Sequence, residues 1–122
     1  SNITVITWGA MLKVVREAVM QLQSKYSVEI IDLQTLSPMD EESFVKSVQK
    51  TGRAVVVQEA PKTCGVAAEI VTRINEKTLL SLEAPVQRVS GWDVTIPLPK
   101  MENYYLPNSQ RIAVAIERTM NF

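Results

Sequence analysis

The chain has 122 residues with 13 basic and 13 acidic side chains, so its formal net charge is zero and no strong field would attract nucleic acid or an anionic membrane. It has one cysteine and no histidine, which excludes an internal disulfide, a histidine-activated nucleophile and an ordinary zinc site. The length suits one domain, residues 1–122, and a hydrophobic fraction of 46% supports a core that needs neither disulfide nor metal.

Strand and helix patterns alternate along most of the chain. β-branched runs mark the strands, apolar residues at helical spacing mark the helices, and proline, glycine and capping residues mark the breaks. In chain order the predicted elements are a strand at residues 3–7, a helix at 10–24, a strand at 28–31, a helix that starts between 37 and 42 and ends at Gly52, a strand at 54–57, a helix at 66–80, a strand at 86–90 and a helix that starts at 107–109.

This alternation predicts a mainly parallel sheet that is covered by helices on both faces. Such sheets usually bind ligands at the carboxyl ends of their strands, where the chain has Trp8-Gly9, residues 34–38, residues 58–65 and the segment from Gly91 onwards. Residues 91–106 contain two prolines and lack a helical period. We therefore expect an ordered loop there, with at most a short edge strand.

Two side chains in these loops are candidates for chemistry. Cys64 lies just before a helix, whose dipole can lower a thiol pKa, but a structural role is favoured because the chain offers no histidine base and no second cysteine. Glu59 is the better candidate for polar work, although a hydrogen bond to the neighbouring loop backbone is the favoured interpretation. Gly9 lacks the further glycines of a dinucleotide-binding loop, and helix capping explains Asp40 to Glu42 without a metal.

The segment from Gly91 to Pro99 is rich in prolines and large side chains. Prolines stiffen a loop at low entropic cost, and stiff loops suit interfaces. The alternative, a loop that packs on its own domain, stays open. The candidates for a subunit contact are the third predicted helix and the loop from Gly91 to Tyr105, in which the candidate side chains are Trp92, Asp93, Tyr104 and Tyr105.

Five segments, taken together and in order, resemble one family. They are DLQTLSPMD at residues 32–40, VVQEAP at 56–61, AEI at 68–70, EAPVQRV at 83–89 and YLP at 105–107. The pattern is similar to that of the C-terminal domain of the beta subunit of 2-oxoacid dehydrogenase decarboxylating components, of the pyruvate or branched-chain type. The wider group is the transketolase C-terminal domain. The resemblance covers nearly the whole chain, and several ordered segments are far more specific than one motif.

The resemblance implies a three-layer α/β/α domain with a mainly parallel, five-stranded mixed sheet that includes one antiparallel edge strand. It also implies that the chain is a fragment. In the full assembly, thiamine diphosphate and magnesium are held between the alpha subunit and another domain of the beta subunit. We therefore expect no catalytic, cofactor-binding or metal-binding residue in this fragment, and no decarboxylation of a 2-oxoacid by the fragment alone.

The resemblance further implies an alpha subunit and a second beta subunit as partners in an α2β2 assembly, and the basic peripheral subunit-binding domain of an acyltransferase. The expected docking point on this chain is Glu83 with the terminal carboxylate of Phe122. Glu83 comes just before Ala84-Pro85, where it can project outward, and Phe122 ends the chain directly after a helix. Arginines of the partner would form forked, charge-assisted hydrogen bonds with both carboxylates. The alternative is a solvated glutamate and a frayed terminus, each worth almost nothing.

Two positions depart from the family pattern. Gln34 stands where arginine is common, which removes any ion pair from that loop. Cys64-Gly65 stands where many members have two glycines, which makes that loop less flexible.

The sequence thus predicts a non-catalytic assembly and partner-docking domain of a thiamine diphosphate-dependent 2-oxoacid dehydrogenase. The alternative is a stand-alone small-ligand-binding or regulatory domain that uses the strand-end loops. No apolar run approaches the ~20 residues of a membrane helix, and the first residues lack the pattern of a signal peptide. The lone cysteine fits a reducing compartment, so we expect the cytoplasm, with the mitochondrial matrix as the alternative.

Overall fold

A computed structural model describes the whole chain, Ser1–Phe122. The strands are β1 (Ile3–Thr7), β2 (Val28–Asp32), β3 (Ala54–Pro61) and β4 (Gln87–Gly91). The helices are α1 (Met11–Leu22), α2 (Glu41–Thr51), α3 (Val66–Thr78), the four-residue α4 (Glu102–Tyr105) and α5 (Ser109–Met120), with 3₁₀ turns at Leu79–Ser81 and Pro99–Met101. None of these helices combines the length and the apolar character that crossing a membrane requires.

The strands form one parallel sheet in the order β2-β1-β3-β4. β1 lies inside the sheet, where Val5 pairs with Ile30 of β2 on one side and with Val55 of β3 on the other. Strands with neighbours on both sides and helices on both faces are buried throughout, as all of β1 and residues 54–58 of β3 are. The edge strand β2 is only half-buried along its length.

Helices cover both faces of the sheet, as the alternation of elements predicts. Successive side chains of a strand point to opposite faces, so Val55 and Val57 join α1 and α5 in one core cluster while Val56 joins α2 and α3 in the other. Burying each such side chain contributes about 1.5–3 kcal/mol. The three-layer α/β/α architecture is therefore confirmed.

The capping residues act where the sequence indicates. The Asp40 side chain accepts a hydrogen bond from the Ser43 amide at the start of α2, and Gly52 ends that helix in the left-handed region with φ 69°. Asn108 caps α5 by accepting from the Arg111 amide at 2.8 Å. These contacts satisfy amides and carbonyls that a helix end leaves free.

The sheet differs from the expectation in one respect: it has four strands, all parallel, and no antiparallel fifth strand. The segment after β4 contains Pro97 and Pro99, which have no N–H for a ladder, and it turns into the 3₁₀ turn and α4 instead. Along the outer edge of β4, the carbonyl of Ser90 accepts from the Arg111 guanidinium rather than from another strand. β3 also runs on to Pro61, beyond the predicted residues 54–57, because Pro61 pairs with Gly91 of β4.

Candidate functional site

The strand order creates a crevice between the carboxyl ends of β1 and β3. The chain leaves β1 towards β2 on one side and later returns to β3 on the other, and ligands of open α/β sheets bind at such a switch point. A cavity of about 350 Å³ lies there, between Trp8 at the end of β1 and Glu59 at the end of β3. Glu102, Tyr105 and the segment after β4 close its other side.

Gln58, near the end of β3, lies against the N-terminus of α3. A helix N-terminus at such a strand end is a place where an anionic group can bind. The Gln58 side chain is 1% exposed; it accepts a hydrogen bond from the Ala67 amide at 2.8 Å and donates to the Pro61 carbonyl at 2.8 Å. It also fills the space over Gly65, where an added Cβ would lie 2.1 Å from Gln58 Nε2. The signal for Gln58 in the sequence is one polar residue at the end of an apolar strand.

These residues do not fit a diphosphate with its magnesium ion. In the first turn of α3, the Ala67 amide donates to Gln58 and the Ala68 amide donates to the Gly65 carbonyl, so neither is free for a phosphate in the way that phosphate sites require. The chain also has no group of three or more histidine, cysteine or acidic side chains placed to hold a metal.

The neighbouring loop residues offer few groups for catalysis or binding, although they lie at the carboxyl ends of the strands. Cys64 is exposed and adopts φ 58°, a left-handed conformation that glycine adopts at no steric cost. Glu59 is exposed, and the expected hydrogen bond from the loop backbone to its carboxylate stays a prediction. Gln34 donates to the Asp32 carboxylate at 3.1 Å on the surface.

Asp93 ties the loop after β4 to the loop after β3. Its carboxylate accepts hydrogen bonds from the Thr63 amide at 2.9 Å and from the Thr63 hydroxyl at 2.6 Å. These bonds, the hydroxyl bond first, hold the pKa of the Asp93 carboxyl below its ordinary value because they favour the charged form. Asp93 thus serves its own domain in this structure.

The Asp93 contact should make stability depend on pH. Because the folded-state pKa is lowered, the contact stabilises above the unfolded-state value, about 3.9, and is lost as the pH falls through the folded-state pKa. Asp93→Asn should therefore be less stable than the parent at pH 6, and the two should converge as the pH falls below about 4. Urea unfolding across this pH range measures the gap, and a gap that stays constant would contradict the assignment.

The segment after β4 both packs on the domain and presents apolar surface. The Trp92 indole N–H donates to the Tyr104 carbonyl at 3.2 Å, and the Arg111 guanidinium lies 4.4 Å from the centre of the Trp92 ring. Yet Trp92 is 54% and Tyr104 76% exposed. The exposed apolar residues around them are Val94, Ile96, Leu98 and Met101. We call these six side chains the loop surface.

Tyr105 differs from its neighbour because its ring is only 4% exposed. The ring lies against Gly91, whose added Cβ would be 2.5 Å from Tyr105 Cζ and Oη. Its hydroxyl has no hydrogen-bond partner, and burial, followed by the charges of Glu59 and Asp93, raises the pKa of Tyr105. The sequence alone does not separate the roles of Tyr104 and Tyr105.

Glu83 and Phe122 line one depression although they lie far apart in the chain. It has a volume of about 430 Å³, and its other lining side chains are mostly apolar. The Glu83 carboxylate pairs with Arg53 at 2.5 Å and stays 58% exposed. Phe122 is 80% exposed. We call it the docking depression because it contains the two residues predicted to dock a partner. Its other residues are Val71, Asn75, Leu79, Leu82, Ala84, Pro85 and Val86.

The three-layer fold and its strand-end loops define a known class of domain. Residues 1–112 match the family described as the transketolase C-terminal domain, and the chain belongs to that family.

Among curated proteins the chain is similar to one particular subunit. It is 45% identical over 123 residues to the pyruvate dehydrogenase E1 component subunit beta of Staphylococcus aureus (strain Mu50), covering 100% of this chain and 38% of that protein. It is 44% identical over 119 residues to the subunit of the same name from Acholeplasma laidlawii, covering 97% of this chain and 36% of that protein. The chain thus spans little more than a third of these relatives, and the resemblance seen in the sequence is confirmed.

A solved structure has the same fold. A protein described as a split-gene transketolase, inactive beta4 tetramer, matches with a TM-score of 0.82 and 23% identity, over 98% of this chain and 38% of that one. At this identity the match shows the fold alone.

Proposed function

We propose that this chain is a non-catalytic assembly and docking domain of a thiamine diphosphate-dependent 2-oxoacid dehydrogenase of the pyruvate dehydrogenase type. The similarity over the full chain to E1 beta subunits supports the proposal. The family model supports it as well. In the full assembly, thiamine diphosphate and magnesium would be bound by the alpha subunit and the rest of the beta subunit. The cytoplasmic location stays a prediction.

The docking depression carries the proposal. It joins an exposed carboxylate, Glu83, to an apolar floor, which suits a basic partner with a small hydrophobic face. The ion pair with Arg53 and the bond from the Glu83 amide to the Gly52 carbonyl at 2.8 Å hold the carboxylate in place. A carboxylate that is already positioned loses less conformational entropy when an arginine of the partner binds it. The proposal also includes Phe122, whose exposed side chain lines the same depression.

Glu83→Gln should weaken docking of the acyltransferase's peripheral subunit-binding domain about tenfold and reduce the salt dependence of binding. The reason is that close charge pairs at interfaces couple by about 1.5 kcal/mol or more. Calorimetric titration of the assembled enzyme with that binding domain, at low and high salt, makes the measurement.

Glu42→Gln is the matched control for this experiment. Glu42 is also exposed and also ion-paired, with Lys46, but it lies on α2 outside the docking depression. Phe122→Ala removes an exposed ring from the docking depression and should weaken docking as well. Binding like the parent by both docking variants, or equal weakening by Glu42→Gln, would refute the docking point.

We further propose that the loop surface forms part of the contact between two beta subunits. Two-fold contacts are the commonest way in which identical subunits pair, and a cluster of exposed apolar side chains marks an interaction site. Trp92 and Tyr104 are its aromatic members, of the kind that anchors interfaces. Asp93 and Tyr105 would act behind them, by holding the loop in place.

Tyr104→Asp in the full-length beta subunit should weaken beta–beta association at least tenfold, because it places a charge in an apolar contact. Sedimentation over a range of concentrations measures the dissociation constant. Met20→Asp is the control, since Met20 is 66% exposed on α1 and is not part of the loop surface. If both variants associate like the parent, the loop surface is not the contact.

A second function, a stand-alone ligand-binding domain, has one observation in its favour. The cavity of about 350 Å³ lies at the switch point between β1 and β3, where such domains bind small molecules. Titrating the chain with thiamine diphosphate and with nucleotides separates the two functions, since tight binding by a monomer that shifts the amide resonances of Trp8 and Glu59, which line this cavity, would favour the second.

A further inference from the structure

The outer edge of β4 and the adjoining face of α5 enclose a groove that shares no residue with the docking depression. Its volume is about 300 Å³. Arg111 and Arg118 line it from α5, and Arg88 lines it from β4. Gln87 and Gln110 add two side-chain amides, and the remaining lining is aliphatic.

The charge in this groove is unbalanced, although the chain as a whole is neutral. Six of the 13 lysines and arginines take part in ion pairs. Arg88, Arg111 and Arg118 are among the seven that do not, and no acidic side chain lines the groove. The cations paired elsewhere are Lys25, Lys46, Lys50, Arg53, Arg73 and Lys77.

The acidic groups close to the groove are engaged with other partners. Glu117, next to Arg118 in the sequence, pairs with Lys25 at 2.9 Å. Asp93 lines the adjoining depression with Arg88 and Arg111, but its two carboxylate oxygens accept from Thr63. Arg88 donates from Nη1 to the Lys62 carbonyl at 3.2 Å. The three arginines that line the groove therefore have no carboxylate that neutralises them.

Arg111 is held in a fixed orientation. Its Nη2 donates to the Ser90 carbonyl at 2.6 Å, and its guanidinium lies over the Trp92 ring. Its Nη1 is buried without a hydrogen-bond partner in the protein. A buried charged donor without an acceptor costs free energy, and Arg111 lines both the groove and the adjoining depression that Lys62 and Arg88 share. Burial lowers the pKa of Arg111, yet a guanidinium stays charged in proteins.

We propose that this groove binds the phosphate group of a small phosphorylated ligand. The planar fork of arginine matches phosphate oxygens two at a time, and a phosphate carries about 1.5 to 2 negative charges at pH 7, which suits three guanidinium groups better than one carboxylate does. The volume is at the lower end for small-molecule pockets, about 300 to 1,000 Å³. A nucleic acid is disfavoured because the chain has no net positive charge to support backbone binding.

Inorganic phosphate is the first probe, added to the chain at constant ionic strength with chloride as the reference anion. We expect phosphate, but not chloride, to raise the unfolding temperature and to shift the backbone amide resonances of β4 and α5. Arg118→Gln should weaken phosphate binding at least fivefold while leaving the fold intact, because Arg118 is exposed. Arg111→Gln should abolish it.

Lys46→Gln is the control. This substitution also removes one positive charge, but from α2, which lies on the opposite face of the sheet. Loss of binding in both arginine variants, with binding retained by Lys46→Gln, would support the proposal. Equal weakening in all three variants would reduce the effect to general charge attraction and overturn it. No phosphate-specific shift in the parent would overturn it too, as would binding of an acidic peptide without binding of phosphate. A ligand that carries a phosphate monoester should then bind more tightly than inorganic phosphate.

Discussion

Gln58→Leu is expected to lower the free energy of unfolding by about 3 kcal/mol. The change removes hydrogen bonds to the Ala60 and Pro61 carbonyls and leaves the amide of Ala67, which is fully buried, without an acceptor. An unsatisfied buried donor costs about 1–3 kcal/mol, and the lost bonds add to that cost. Urea unfolding should show a lower midpoint with an unchanged slope.

Gln34→Leu provides the matched control because it makes the same substitution at another strand end. Gln34 is exposed and its side chain bonds only to Asp32, so the change should stay within about 0.5 kcal/mol. A loss below 1 kcal/mol in Gln58→Leu would show that the first turn of α3 does not depend on this side chain.

Local sequence signals are strong enough to locate most elements of this fold. The β-branched run at Ile3–Thr7 gives β1 its observed bounds, and Asp40 and Gly52 mark the two ends of α2. These signals work because each depends on neighbouring residues alone, through β-branched side chains, a capping oxygen or a left-handed glycine.

The elements that the sequence did not give depend on partners far along the chain. β3 continues through Gln58 and Glu59 because its end pairs with β4 beyond a register shift, and no local pattern marks that pairing. α4 has four residues, too few for a helical period to appear. The antiparallel strand came from the resemblance, and two prolines in this chain's segment remove donors that such a strand needs.

The site residues also divide into those that the sequence predicts and those whose roles depend on distant contacts. The resemblance singled out Glu83 and Phe122, and the structure places both in one depression. The resemblance could not show that Arg53 pairs with Glu83. Nor could it separate Tyr104 from Tyr105, because consecutive residues of a single helical turn have no longer stripe to show which one is buried.

Gly91→Ala is expected to cost about 3 kcal/mol, because the close approach of Tyr105 to β4 leaves no room for a methyl group. An added Cβ would lie 2.5 Å from Tyr105 Cζ and 2.7 Å from the Glu59 carbonyl oxygen. A ring can shift only by disturbing the segment that carries it, and a backbone carbonyl of the ladder cannot give way. Overpacking of this kind typically costs 1–3 kcal/mol and occasionally more. Urea unfolding of Gly91→Ala and of the parent measures the loss.

Two further variants, Gly9→Ala and Tyr105→Phe, show whether Gly91→Ala loses stability through lack of space or through backbone conformation. Gly9 has φ 59° and no atom within 4 Å of an added Cβ, so Gly9→Ala should cost only the roughly 1 kcal/mol of a left-handed alanine. Tyr105→Phe removes a buried hydroxyl that has no partner, and alone it should be neutral or stabilising. Combined with Gly91→Ala it should recover part of the loss but not all of it, since Cζ and the Glu59 carbonyl still crowd the new methyl group.

Because Gly91 immediately precedes Trp92, Gly91→Ala should also weaken beta–beta association if the loop surface is the contact. A Gly91→Ala variant as stable as the parent would mean that Tyr105 does not hold this segment against β4.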